Sequence, residues 1–341
     1  MSESTGLMQP APLAAPSTAS DRAADPLGLL SAYIELSKAR LSALVLATTA
    51  VGFVLGTQMN TPRAWALLFW TLVGTALCAF GANAMNQWIE HARDARMERT
   101  RGRPLPAGLL SRPHALTFAL LTAIGGPLLL AWQTNLLTAM LGLLTTLLYV
   151  AAYTPLKPLT PLNTVVGAVC GAIPPMMGWT AATGELALPA WILGGLLFLW
   201  QIPHALALSW LYRDDYERGG FRMLPIIDPS GRLTCQAAVL YALALLPFGL
   251  MLTLHNVCGA VFAIGSLVTG LLFVLTTLWL FIRRDRDSAR RVFFASILYL
   301  PVVMVLMVAD RTPLNRSGVY TELIGIYDAP VSVTPPAETP R

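Results

Sequence analysis

An all-α polytopic membrane protein of about nine transmembrane helices, N-terminus inside and C-terminus outside, is the fold class that the sequence predicts. Two observations carry that reading, the apolar composition and the placement of the basic residues. Over 341 residues, 55% are hydrophobic, only 12% are charged and the mean hydropathy is +0.60. That is too apolar for a soluble domain of this length. Lipid offers no partner to a free backbone N–H or C=O, so each crossing needs about 20 mostly apolar residues in helical form.

The runs that meet this demand lie at 42–57, 65–85, 115–132, 135–152, 163–181, 188–210, 236–254, 258–282 and 292–309. Two of the separations rest on short breaks, Gln133-Thr134-Asn135 and His255-Asn256, and merging either pair would change the count. Charge placement tests the count independently, because Lys and Arg gather on the cytoplasmic side of a bilayer. With the N-terminus inside, 19 of the 23 basic residues fall on inner segments, and the outer ones keep only Arg63, Arg311, Arg316 and Arg341. One span more or fewer would break this alternation.

The net charge of +5 is therefore a matter of membrane orientation, with room for an anionic ligand. It is not read as nucleic-acid binding, since no such motif accompanies it. Cys78, Cys170, Cys235 and Cys258 stand singly on or beside apolar spans, with no CxxC pair, and read as small core residues. Residues 1–28 are rich in Ala, Pro and Ser, carry Glu3, Asp21 and Asp25, and read as a disordered cytoplasmic tail. They lack the apolar core of a secretory signal and the acid-free, Arg-rich helix of a transit peptide. The transmembrane domain is expected at 29–310 and a flexible C-terminal tail at 311–341.

Most connections are short, but two on the inner face are long and polar and follow spans 2 and 6, a spacing that suggests an internal repeat of four helices. The first runs out of span 2 with Asn86, Glu90 and Asp94 at i, i+4 and i+8. At about 100° per residue each step drifts only about 40°, so the three oxygen-bearing side chains make one stripe. Two carboxylates and an amide at a membrane surface suit Mg²⁺, which prefers hard oxygen ligands and completes its shell with water and phosphate. A solvated helix end pairing within itself through Glu90, His91, Arg93 and Asp94 is the competing reading. Arg99, Arg101 and Arg103 follow directly, as topology signals or as forks for phosphate oxygens.

The second loop leaves span 6 through Trp200-Gln-Ile-Pro-His204 and continues to Asp214, Asp215 and Tyr216. Gln201 and His204 are polar residues in an otherwise apolar helix, placed either in the core with hydrogen bonds or facing a cavity. Asp214 and Asp215 offer a second carboxylate site. After span 4 comes Tyr149-Val-Ala-Ala-Tyr153-Thr-Pro-Leu-Lys157. The tyrosines share a face, as pocket lining or interfacial belt, and Lys157 is a snorkelling anchor or a point charge for a phosphate.

These stretches resemble the UbiA-type intramembrane prenyltransferases, over about residues 30–310, and among them the branch that farnesylates haem. Lys38-Ala-Arg40, the Asn86/Glu90/Asp94 motif with Met97-Glu-Arg-Thr-Arg-Gly-Arg-Pro, Tyr153-Thr-Pro-Leu-Lys-Pro with Gly171-Ala-Ile-Pro-Pro, and Trp200-Gln-Ile-Pro-His204 carry the resemblance. Glu90 departs from the family's usual Asp, lengthening the reach by one methylene, and the second acidic cluster is sparser than in many relatives.

The resemblance implies a helical bundle with two polar inner-face loops and a reaction between farnesyl diphosphate and protohaem (haem B), the haem being substrate and not cofactor. It assigns catalysis to Asn86, Glu90, Asp94, Lys157 and Asp215, with Mg²⁺ on Asn86, Glu90, Asp94 and Asp215. Substrate contacts fall to Lys38, Arg40, Arg99, Arg101, Arg103, Tyr149, Tyr153, Gln201, His204 and Tyr216. It further implies a multi-pass protein of the bacterial inner membrane with its active-site loops cytoplasmic, and a haem A synthase as partner. A quinone precursor or chlorophyllide as acceptor, or a non-enzymatic membrane carrier, are the rival readings.

Overall fold

A computed structural model describes residues 26–312. The expected tails lie almost wholly outside that range; its first residues, from Pro26, already belong to helix α1 (Pro26–Leu36). Nine further helices are long and apolar enough to cross a membrane among the described residues. They are α2 (Ala39–Gly56), α3 (Pro62–Asp94), α4 (Arg112–Gln133), α5 (Leu136–Leu156), α6 (Asn163–Thr183) and α7 (Leu188–Leu211), then, after the short α8 (Arg213–Arg218) and α9 (Leu224–Ile227), α10 (Arg232–Leu254), α11 (Ala260–Arg283) and α12 (Arg286–Ala309). The chain is a multi-pass membrane protein.

Both doubtful breaks are real. Asn135 caps α5 by accepting from Thr138 N at 2.8 Å, and Asn256 takes a left-handed conformation, φ 55°, that no helix can pass through. Helix ends run further than hydropathy alone suggests. α12 begins at Arg286, not at 292, because Asp285 caps it from Ser288 N at 2.8 Å, and its Arg290 and Arg291 ride on the first turns. α3 is the extreme case. Its 33 residues span about 50 Å at 1.5 Å per residue, against a hydrocarbon core of about 30 Å. Its last turns therefore stand clear of the lipid, and these turns carry the oxygen stripe.

Helices α6 and α7 form the centre, with 67% of their spanning windows buried, against 28–39% in the other seven. Large apolar side chains such as Leu121 and Trp132 stay exposed on the outside, where lipid replaces water. Small residues let the central helices touch: a Cβ at Gly52 of α2 would collide with the Pro175 carbonyl of α6, and one at Gly178 with the Thr49 carbonyl. Pro174 removes the N–H that would serve the Cys170 carbonyl, and Thr145 Oγ1 of α5 donates to that carbonyl instead, at 3.0 Å.

Candidate active site

At the end of the bundle where α3 emerges, each group of the predicted stripe has one cation. Lys38 Nζ donates to Asn86 Oδ1 at 2.8 Å. Lys157 Nζ lies 2.9 and 3.0 Å from the two oxygens of Glu90. Arg103 Nη1 reaches Asp94 Oδ2 at 2.7 Å. Asn86, Glu90 and Asp94 are all buried, so the solvated helix end that sequence allowed is not what forms. Lys38 is itself held in the left-handed region, φ 48° and ψ 53°, between α1 and α2. Burial, with Arg103 and Lys157 close by, pushes its pKa well below the ordinary lysine range. For Lys157 burial works the same way, but Tyr153 and Glu90 overcome it and hold the pKa above that range.

Two oxygens of the stripe are buried without a hydrogen bond, Glu90 Oε1, which has only the ion-pair contact of Lys157 at 2.9 Å, and Asp94 Oδ1, which has no partner at all. Asn86 Nδ2 is fixed by Thr154 Oγ1 at 3.0 Å, which orients its Oδ1 toward the same side as Lys38. Among the described residues no three His, Cys, Asp or Glu side chains converge as a metal cage. An all-oxygen set of one amide and two carboxylates, one with an idle oxygen, fits a hard cation such as Mg²⁺ that takes most of its shell from water and substrate phosphate.

Behind the stripe lies a cavity of about 310 Å³ among α2, α3, α5, α6 and α7. Tyr149, Tyr153, Gln201, His204 and Tyr216 line it. The two tyrosines reach it from a π-helical stretch of α5, Leu148–Tyr153, with ring centroids 5.0 Å apart. Lys157 Nζ sits 4.6 Å over the Tyr153 ring, which makes the stripe and the cavity neighbours. Gln201 donates to the Ala168 carbonyl at 2.7 Å and occupies the space that a side chain at Gly171 would need.

The two polar loops meet at a seam. Asp215 accepts from Glu98 N at 2.8 Å, Arg99 N at 3.3 Å and Arg218 Nη2 at 2.7 Å. Three of its four lone-pair sites are thus used within the seam. Burial disfavours its charge, but the donors from Glu98, Arg218 and Arg99 outweigh that and hold its pKa below the usual carboxylate range. Arg93 crosses the same seam to the Gly219 carbonyl at 3.1 Å. Arg99 stacks over Tyr212 and Tyr216, at 5.3 and 5.5 Å. Asp214, Arg40 and Arg101 are exposed and stand outside this network.

Sequence reasoning missed Asn83. It lines the cavity one turn before Asn86, donates to the Ser37 carbonyl and Ser42 Oγ at 3.2 Å each, and accepts from Tyr149 OH at 3.4 Å. An amide inside an apolar span is itself a signal. Ser296, which meets His204 Nδ1 at 2.8 Å, gave no signal, because a lone serine in a span is commonplace.

The sequence profile of the UbiA prenyltransferase family matches residues 45–298. The chain belongs to the UbiA prenyltransferase family. Within it, the protoheme IX farnesyltransferase of Solibacter usitatus is 40% identical over 286 residues, covering 82% of this chain and 98% of that one. A solved structure of a digeranylgeranylglyceryl phosphate synthase in membranes superposes with a TM-score of 0.71 at 15% identity, covering 83% of this chain and 98% of that one. A UbiA homologue from Archaeoglobus fulgidus, solved bound to DMAPP and Mg²⁺, gives 0.57 at 15% identity, with 81% and 98% covered. Both share the UbiA fold with this chain.

Proposed function

We propose that this chain transfers the farnesyl group of farnesyl diphosphate to a vinyl group of protohaem, with addition of water, giving haem O and diphosphate for haem–copper oxidases. The observation that carries this reading is an apolar, aromatic-walled cavity set directly behind a buried oxygen stripe matched by three cations. The acceptor follows from the 40% identity to a protoheme IX farnesyltransferase along nearly that enzyme's whole length.

Ionisation breaks the C1–O bond of farnesyl diphosphate, and negative charge grows on the departing diphosphate. Lys157, which is buried, and Lys38 and Arg103, which are part-buried, stand where that charge would develop, already oriented by the stripe. Mg²⁺ would be held by Asn86, Glu90 and Asp94, and would supply Lewis-acid stabilisation of the diphosphate oxygens. Asp215 serves as the clasp that keeps the Arg99–Arg103 turn in register, so the metal seat rests on the three stripe residues. At the other end of the broken bond an allylic cation faces Tyr149 and Tyr153, whose ring faces attract it in a cavity with little water. The terminal vinyl carbon of protohaem bonds to farnesyl C1, the cation left beside the porphyrin takes up water, and a proton is released.

The location proposed is the bacterial inner membrane, and the alternation of basic residues supports an orientation with the stripe and both loops on the cytoplasmic face. A haem A synthase is then the expected recipient of the product. Membranes containing the protein, given protohaem, farnesyl diphosphate and Mg²⁺, should yield a haem heavier by one hydroxyethylfarnesyl modification, and chelation should abolish it. Prenylation of an added aromatic acid without any haem product would keep the family chemistry and overturn the acceptor.

A further inference from the structure

His204 lies in the apolar span α7 and is held on several sides. The ring of Trp200, one turn earlier, stacks on it at 5.4 Å and 20°, and that of Phe293 from α12 at 5.1 Å and 26°. Ser296, also on α12, places its Oγ 2.8 Å from His204 Nδ1. The same hydroxyl donates its single hydrogen to the Phe293 carbonyl at 2.6 Å. It therefore accepts from the imidazole, and Nδ1 carries the ring proton. Trp200 Nε1 donates to the Ser296 carbonyl at 2.9 Å and locks the same turn of α12 against α7.

The other nitrogen, Nε2, then bears a lone pair. It has no hydrogen-bond partner among the described residues and is not one of the fully buried polar atoms that lack one, so it keeps accessible surface on a residue that lines the cavity. A histidine serving only the core would be expected to satisfy both nitrogens. A neutral ring with Nδ1–H tied to a second group, its face fixed by stacking and Nε2 free, has the arrangement of a metal-binding histidine.

We infer that His204 Nε2 is the axial ligand of the iron of the bound acceptor protohaem, and that Ser296 is the positioning residue that fixes its tautomer. This rests on protohaem being the acceptor. Ligation gives the cavity one fixed point on the porphyrin, with His204 and the Tyr149/Tyr153 wall lining the same space. It also gives the Trp200-Gln-Ile-Pro-His204 segment a task that an iron-free aromatic acceptor would not need.

The test uses the full chain, without a polyhistidine tag, in lipid nanodiscs with ferrous protohaem under anaerobic conditions, read by resonance Raman and Soret absorption. The wild type should show an iron–histidine stretch, and His204→Ala should lose it. Added imidazole should restore an iron–imidazole band in His204→Ala, and circular dichroism should show that the variant keeps the helix content of the wild type. Ser296→Ala should keep the band at lower frequency, since the ligand loses the hydrogen-bond acceptor that raises its basicity. Persistence of the band in His204→Ala, or haem bound by the wild type with no iron–histidine band, would overturn the assignment. Failure of the wild type to bind protohaem at all is a separate result, which would remove the acceptor reading itself.

Discussion

In the proposed reaction Asp94 is the residue on which activity should turn most sharply. It has one oxygen taken by Arg103 at 2.7 Å and one idle, and it sits where α3 leaves the lipid. Asp94→Ala is expected to lower kcat/KM by at least about 100-fold, the scale of losing one preorganised electrostatic contact, while the protein still inserts and purifies as the wild type does. Full activity in that variant would sink the stripe as the diphosphate seat. The spacing Asn86/Glu90/Asp94 was legible in the sequence because three residues four apart must share a helix face. Lys38, Lys157 and Arg103 were legible as candidates, but which stripe residue the two lysines meet was not, because Lys38 and Lys157 lie 48 and 67 positions from their partners and no periodicity links them. Glu90 and Lys157 depend on each other strongly, since removing one partner of a buried pair leaves an unpaired charge at a cost of about 3–5 kcal/mol.

Among elements, the spans were easy to read and their ends were not. Twenty apolar residues announce a crossing, but the ends are set by local caps and by long basic side chains lying along the first turns. Asp228 shows the point at the start of α10. It accepts from Thr234 N at 2.9 Å, Thr234 Oγ1 at 3.1 Å and Ser230 Oγ at 2.8 Å. Burial works against its charge, yet these donors outweigh it and hold its pKa below the usual carboxylate range. A carboxylate with a depressed folded pKa adds stability that is present at neutral pH and fades as pH falls through that lower value. Asp228→Ala should therefore cost about 1 kcal/mol at pH 7, as loss of a cap does, and the gap in Tm should narrow in strong acid. A gap independent of pH would assign the effect to packing. The meeting of the two polar loops through Asp215 is an element-level fact that the sequence left open. It depends on how α3 and α7 pack, which hydropathy does not encode.

For the whole molecule, a long helix lifts acidic and basic groups to one surface of the membrane, and the central pair α6–α7 walls a largely apolar chamber beneath them. In the proposed reaction that division would put a diphosphate in reach of charge and a farnesyl chain in reach of lipid, which is why nine apolar helices, and not a soluble cavity, suit it. The number of spans, the two loops and the family were legible; the chamber was not, because it arises where five helices fail to fill space between them. Determining the structure of the protein in nanodiscs with farnesyl diphosphate and Mg²⁺ is the most direct test. The account predicts the diphosphate among Asn86, Glu90, Asp94, Lys38, Lys157 and Arg103, with the farnesyl chain running past Tyr149 and Tyr153. A diphosphate bound at Asp228 or at the opposite end of the bundle, with the chamber empty, would contradict it.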